Sequence, residues 1–207
     1  MNIFFDLDGT IIESRKRLYM LFQFLVASSD LTFDEYWELK RNGISHKSIL
    51  TTQFNYTSED YSAFESLWMN EIEKEEWLNL DEPIMGVTDL LLSLTAEHRL
   101  HLVTARQSKD MVYKQLANFG WNHIFENILV TEQKSDKHSL ILKNVLVSLE
   151  DWLIGDTGKD IEAGKKLGIN TAAVLSGFLN QEKLASYQPD LILTDVTLFQ
   201  LNSHSNE

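Results

Sequence analysis

Three observations predict an α/β protein with a parallel sheet of about five or six strands and helices on both faces. Short apolar runs alternate with helix-period segments from residue 87 onward. A purely helical block, residues 14–82, interrupts that alternation after the first strand. The polar residues with chemical potential gather where the apolar runs end. In a parallel sheet that edge is where ligands bind.

Residues 2–6 form the first strand, because Ile3-Phe4-Phe5 is the unbroken apolar run of a strand buried on both faces. Residues 14–28 place Leu18, Leu21, Phe22, Leu25 and Val26 at helical spacing. Residues 32–42, 45–54 and 58–78 read as helices, with Ser45 and Ser58 as caps, and no strand interrupts them before Glu82-Pro83. Trp37, Trp68 and Trp77 read as core of this block, and Glu71 to Glu76 as a solvated helix face. Helix 87–97 is followed by the strand Leu100 to Val103, and helix 108–119 ends at Gly120. Strand Ile128 to Val130, helix 137–149 and strand Trp152 to Ile154 come next. Helix 159–167 ends at Gly168, before strand Thr171 to Leu175. Residues 180–187 read as helix, Leu191 to Leu193 as strand and 195–201 as helix. The result is a Rossmann-like core, residues 1–13 and 83–207, with 14–82 as an inserted helical cap.

Composition narrows the function classes. The 207 residues suffice for one full core, or for a core plus a small appended domain. A net charge of −13 argues against nucleic-acid partners, which require a basic footprint. It does not exclude small anionic substrates, since a metal and a lysine reverse the field locally. The absence of cysteine excludes disulfides, thiol catalysis and thiolate metal sites. The start, Met1-Asn2-Ile3-Phe4-Phe5-Asp6, lacks the pattern of a signal peptide, and no apolar stretch approaches ~20 residues. The expectation is a cytoplasmic enzyme without membrane partners, a monomer or homodimer.

Asp6-Leu7-Asp8-Gly9-Thr10 directly follows the first strand. Period-2 geometry points Asp6 and Asp8 the same way, and two like charges at a strand end repel. A divalent cation removes that cost, and aspartate is an established nucleophile toward phosphorus. The second strand ends in Thr104-Ala105-Arg106 and the fourth in Gly155-Asp156-Thr157-Gly158-Lys159-Asp160, while Lys134 and Lys137 precede the intervening helix. Alone, Gly155 to Gly158 is equally a turn with a helix cap, Thr104 a strand-end residue and either lysine a surface charge.

Together, in this order, these residues resemble the four motifs of the haloacid dehalogenase-like (HAD) hydrolase superfamily. The resemblance spans the whole chain and extends to the phosphoglycolate phosphatase-like members with a C1-type helical cap. It implies Mg²⁺-dependent hydrolysis of a small phosphorylated metabolite through an aspartyl phosphate. Asp6 is the implied nucleophile and Asp8 the general acid and base. Thr104 contacts a phosphoryl oxygen, and Lys137, favoured over Lys134 by its place at the helix start, neutralises charge. Asp6, Asp8 through its backbone carbonyl, Asp156 and Asp160 form the implied metal site. Further candidates for substrate contact are Gly9, Thr10, Ala105, Arg106, Lys134 and, on the segment from Arg41 to Lys47, Arg41, His46 and Lys47. For Arg106 a structural ion pair is favoured over substrate contact, and for Ser45 and Lys47 a cap and a solvated charge. The third motif lacks the Lys-Pro pattern common in relatives, and Glu13 replaces a frequent aspartate. Asp8 argues against a dehalogenase, which has no leaving alkoxide to protonate. The alternatives are a phosphomutase of the β-phosphoglucomutase kind and a non-catalytic phosphate-binding protein.

Overall fold

The computed structural model describes residues 1–201, so the end of the predicted core, 202–207, lies outside the described residues. Six parallel strands form the main sheet: β1 (Asn2–Phe5), β4 (Arg99–Thr104), β5 (Asn127–Val130), β6 (Trp152–Gly155), β7 (Asn170–Val174) and β8 (Leu191–Leu193). Their order is β5-β4-β1-β6-β7-β8. The chain builds outward from β1 to β5 on one side, then crosses to β6 on the other. β1 is therefore central, and the switch in direction lies beside it, where a crevice opens at the carboxyl ends.

β1 shows why the sheet is buried on both sides. Ile3 and Phe5 join one apolar cluster with Leu102, Val112, Trp121 and Ile154. Phe4 joins another with Val103, Leu129, Ile141 and Leu153. Strand alternation alone sends neighbouring residues into two cores. Helices α6 (Val87–Leu94), α7 (Lys109–Asn118), α8 (Lys137–Asn144), α9 (Gly158–Leu167) and α10 (Gln181–Ser186) accompany the sheet.

Five helices precede them: α1 (Arg15–Leu25), α2 (Phe33–Arg41), α3 (His46–Gln53), α4 (Ser58–Glu71) and α5 (Glu75–Leu78). They bury their own apolar cluster, including Leu21, Phe22, Tyr36, Ile49, Leu50 and Phe64. None of the helices among the described residues is long and apolar enough to cross a membrane.

Several elements differ from the sequence expectation. β2 (Ile12–Glu13) pairs antiparallel with β3 (Glu82–Pro83) where the chain leaves and re-enters the sheet region. Two-residue strands carry no periodicity to read. Residues 58–78 are two helices, because α4 ends at Glu71 and Ile72 to Lys74 form a turn. Thr57, rather than Ser58, caps α4, in a reciprocal box with Asp60. α8 stops at Asn144 and Val145 is extended. The following loop is drawn to Asp151, whose carboxylate accepts from Ser148 N at 2.8 Å and Asn2 N at 2.7 Å. Residues 195–201 contain only a 3-10 turn, Val196–Leu198, capped by Asp195.

Candidate active site

Asp6 and Asp8 leave β1 at its carboxyl end, Thr104 ends β4 and Asp156 follows β6. Asp160 sits one turn into α9, where its Oδ2 accepts from Thr157 N at 3.1 Å and Thr157 Oγ1 at 2.6 Å. Lys137 opens α8 behind the cap residue Asp136. Its ammonium lies 2.6 Å from Asp6 Oδ1 and 2.5 Å from Asp160 Oδ1 and is 9% exposed. Lys134 instead is exposed and pairs with Glu132 at 3.4 Å.

Asp6, Asp156 and Asp160 each bring a carboxylate oxygen within 4.8 Å of the others, and all three are buried. One ammonium beside three carboxylates leaves two negative charges uncompensated. Burial pushes Asp6 up to about 7 against the attraction of Lys137. Burial also pushes Asp156 well above the carboxylate range, with Asp6 and Asp160 adding to it. Asp156 Oδ1 is buried and has no hydrogen-bond partner among the described residues. A divalent, oxygen-seeking cation satisfies the missing charge and the orphaned oxygen together, so these residues fit Mg²⁺.

Glycine makes the cluster possible. Gly9 has φ +76°, and a Cβ there would come within 2.5 Å of Asp156 Oδ2. A Cβ on Gly177 would overlap the same carboxylate. Phe178 N instead donates to Asp156 Oδ2 at 2.7 Å.

Asp8 belongs to a second network. Arg106 Nε donates to its Oδ2 at 2.5 Å and Nη2 to its Oδ1 at 2.7 Å, and Arg17 from α1 also pairs with it. Asp81 links both guanidiniums, 2.9 Å from Arg17 and 3.3 Å from Arg106. Burial raises Asp8, but Arg106 and Arg17 outweigh it and hold the carboxyl at about 2. Arg106 is thus an ion-pair residue, although it also lines the central cavity and its buried Nη1 has no partner among the described residues. Asp8 is not part of the carboxylate cluster: its side chain serves the arginines.

A cavity of about 510 Å³ joins these groups to the helical layer. Asp6, Asp8, Thr104, Ala105, Arg106, Lys137 and Asp156 line its sheet side. Leu18, Lys40, Ile44, Trp68, Met69 and Ile72 line the other. Trp68 is therefore cavity wall as well as core, whereas Trp37 is buried in the helical cluster.

Three expected substrate contacts lie elsewhere. Arg41 donates to the Leu175 carbonyl at 2.9 Å, and its own carbonyl accepts from Asn180 N at 3.0 Å, so it fastens α2 to the sheet loops. His46 bonds the Tyr36 hydroxyl at 2.8 Å, stacks on Phe22 and packs against Phe64 and Trp68. Lys47 is exposed over the Tyr61 ring at 5.7 Å. Gly9 and Thr10 also lie outside the cavity lining, and Thr10 is fully buried. Ser45 does cap α3, accepting from Ser48 N at 3.1 Å.

Arg17, Asp81 and Glu73 were missed. Arg17 carried a signal: it precedes Leu21 by one helical turn, on the apolar stripe, where a charge needs a partner. Glu73, assigned to a solvated face, accepts from Gln107 N at 2.7 Å and Ser108 N at 2.8 Å, satisfying backbone donors at the start of α7.

Known proteins share this architecture. The profile of a family described as haloacid dehalogenase-like hydrolase matches residues 3–174. Pyrophosphatase PpaX of Oceanobacillus iheyensis is 25% identical over 202 residues, covering 94% of this chain and 92% of that protein. A phosphoglycolate phosphatase of Aquifex aeolicus is 25% identical over 204 residues, covering 93% and 91%. A haloacid dehalogenase-like family hydrolase of Streptococcus pneumoniae superposes with a TM-score of 0.76 at 22% identity, covering 94% of this chain and 93% of that one.

Proposed function

Because the chain belongs to the haloacid dehalogenase-like hydrolases, we propose that it hydrolyses a small phosphomonoester, with Mg²⁺ as cofactor and an aspartyl phosphate on Asp6 as the intermediate. The observation that carries this reading is the buried cluster of Asp6, Asp156 and Asp160 around Lys137 at the end of the central strand.

Asp6, Asp156 and Asp160, with the Asp8 backbone carbonyl, would hold Mg²⁺. When bound, the ion supplies Lewis-acid stabilisation of phosphoryl charge and removes the repulsion among the carboxylates. Lys137 fixes one oxygen of Asp6, leaving the other to attack phosphorus as the bond to the leaving oxygen breaks. Thr104, buried at the end of β4 and on the cavity wall, would donate its hydroxyl to a phosphoryl oxygen. Asp8 gives its proton to the leaving oxygen and then takes one from the water that cleaves the aspartyl phosphate. In the structure described here Asp8 is ionised between two arginines, which suits the second half-reaction. For the first, one guanidinium has to withdraw, and Arg17, on α1 of the helical layer, would do so if that layer shifts as a cap. Positioning and electrostatics of this kind account for most of phosphoryl-transfer catalysis.

The relatives' names keep phosphoglycolate among the substrates worth testing and add pyrophosphate. The experiment is phosphate release from p-nitrophenyl phosphate, phosphoglycolate, sugar phosphates, nucleoside monophosphates and pyrophosphate, in Mg²⁺ and in chelator. Mg²⁺-dependent turnover that disappears in Asp6→Asn is expected. Turnover by Asp6→Asn equal to wild type would refute the nucleophile, and turnover unaffected by chelator would refute the cofactor.

A further inference from the structure

Among the cations that line the central cavity, Lys137, Arg17 and Arg106 are each paired with carboxylates. Lys159 is exposed to solvent. Lys40, at the end of α2, is different. It is half-buried, and among the described residues its ammonium forms no ion pair and donates one hydrogen bond, to the Ile44 carbonyl at 3.3 Å. Of the carboxylates that line the cavity with it, Asp6 and Asp8 are paired with Lys137 and the two arginines, Asp156 accepts from Phe178 N, and Glu73 is engaged by two backbone donors. Its neighbour His46 offers no negative charge in either protonation state, and burial, with repulsion from Lys40 adding to it, pushes that imidazole well down and keeps it neutral. A half-buried ammonium facing an active-site cavity without a counter-charge is costly in the free protein.

We propose that Lys40 receives an anionic group on the leaving part of the substrate, so that the protein selects phosphomonoesters whose alcohol portion carries a carboxylate or a second phosphate. The inference rests on the phosphomonoester reading of the same site. The cavity wall around Lys40 adds a second requirement. Leu18, Ile44, Trp68, Met69 and Ile72 present apolar surface, and about 510 Å³ is far more room than a phosphoryl group needs. The preferred leaving group therefore has an apolar body between its ester oxygen and its anion. Burial alone pulls Lys40 down to about 8, a cost an incoming anion relieves. On the sheet side, the buried Arg106 Nη1 is a further donor without a partner among the described residues.

The test is binding, so that it does not depend on turnover. Non-hydrolysable benzylphosphonates bearing a para carboxylate, a para phosphonate or a para carboxamide are titrated by calorimetry in Mg²⁺. The first two separate the carboxylate and phosphate cases, and the neutral amide matches them in shape. A charge-assisted hydrogen bond predicts roughly 10–100-fold tighter binding of at least one charged analogue over the amide. Lys40→Gln should reduce that ratio to within about threefold, and Lys40→Arg should retain it, with circular dichroism and thermal melting establishing that both fold. Equal affinities in the wild type, no binding of either charged analogue, or an unchanged ratio in folded Lys40→Gln overturns the inference. Discrimination in binding without turnover of the matching esters supports it while refuting hydrolysis. Turnover without discrimination does the reverse.

Discussion

Lys137→Met is the most informative single substitution, because it removes a charge while keeping most of a side chain. The ammonium lies 2.6 Å from Asp6 and 2.5 Å from Asp160, and little of it reaches solvent. Breaking a buried ion pair from one side costs about 3–5 kcal/mol, since the remaining charge is stranded. Here two carboxylates are stranded, but Asp6 has an escape. Already pushed up to about 7, it can take a proton. The loss should therefore lie near the lower bound at pH 6 and near the upper bound at pH 8. A domain of ordinary stability, about 5–15 kcal/mol, survives it. Saturating Mg²⁺ near 100 times its dissociation constant should return about 2.7 kcal/mol. Activity should fall by on the order of 10²–10³, because a charge stabiliser is lost and the nucleophile is held protonated. Urea unfolding at both pH values, in chelator and in Mg²⁺, gives the stabilities, and phosphate release gives the rate. A variant within about 1 kcal/mol of wild type at pH 8 in chelator would refute the account of the cluster as charge-frustrated and held by Lys137.

The raised Asp6 has its own signature. A carboxyl whose folded value exceeds its unfolded value stabilises the protein below the unfolded value, and that contribution is lost as pH rises through the folded one. From 3.8 to about 7, this predicts that the stability of wild type relative to Asp6→Asn falls by roughly 2–3 kcal/mol between pH 5 and pH 7.5 in chelator. A flat difference in urea titrations counts against it. Arg17→Met leaves Arg106 as the one cation beside Asp8 and Asp81, stranding one negative charge, and should cost about 3 kcal/mol in chemical denaturation, with a loss below about 1 kcal/mol refuting the buried network. Gly177→Ala places a methyl against the Asp156 carboxylate and should weaken Mg²⁺ binding at least about tenfold by calorimetry. Unchanged affinity would remove Asp156 from the metal site.

Most of the fold was legible because burial is encoded locally. Ile3-Phe4-Phe5 reads as a strand buried on both sides, and Phe4 does face the opposite core from its neighbours. Leu18, Leu21 and Phe22 mark the buried face of α1. Asp6 and Asp8 at a strand end, and Asp156 to Asp160 at a helix start, placed the site at one sheet edge. Lys137 was separable from Lys134 because it opens a helix. The errors fall where local pattern is silent. The β2–β3 pair is too short to show a period, and the break between α4 and α5 depends on Glu73 being drawn to Gln107 and Ser108, more than thirty residues away. The segment from Arg41 to Lys47 reads as one polar loop, yet Arg41 fastens α2 to Leu175 and His46 is half-buried against aromatics.

The sequence by itself determined the class of fold and marked Asp6 and Asp8, charges at the end of an apolar strand, as candidate groups; Thr104, Lys137, Asp156 and Asp160 joined them through the resemblance to the haloacid dehalogenase-like hydrolases. It did so because periodicity sets which face is buried and because charged groups at strand ends are too costly to leave unexplained. Only the tertiary structure decided the partners. Arg17, Asp8, Asp81 and Arg106 come from four separate stretches of chain, and the helical layer puts Lys40 at the cavity while turning Lys47 away. Charge pairing acts across a few ångströms of space, and which residues come within that distance is set by how the elements pack.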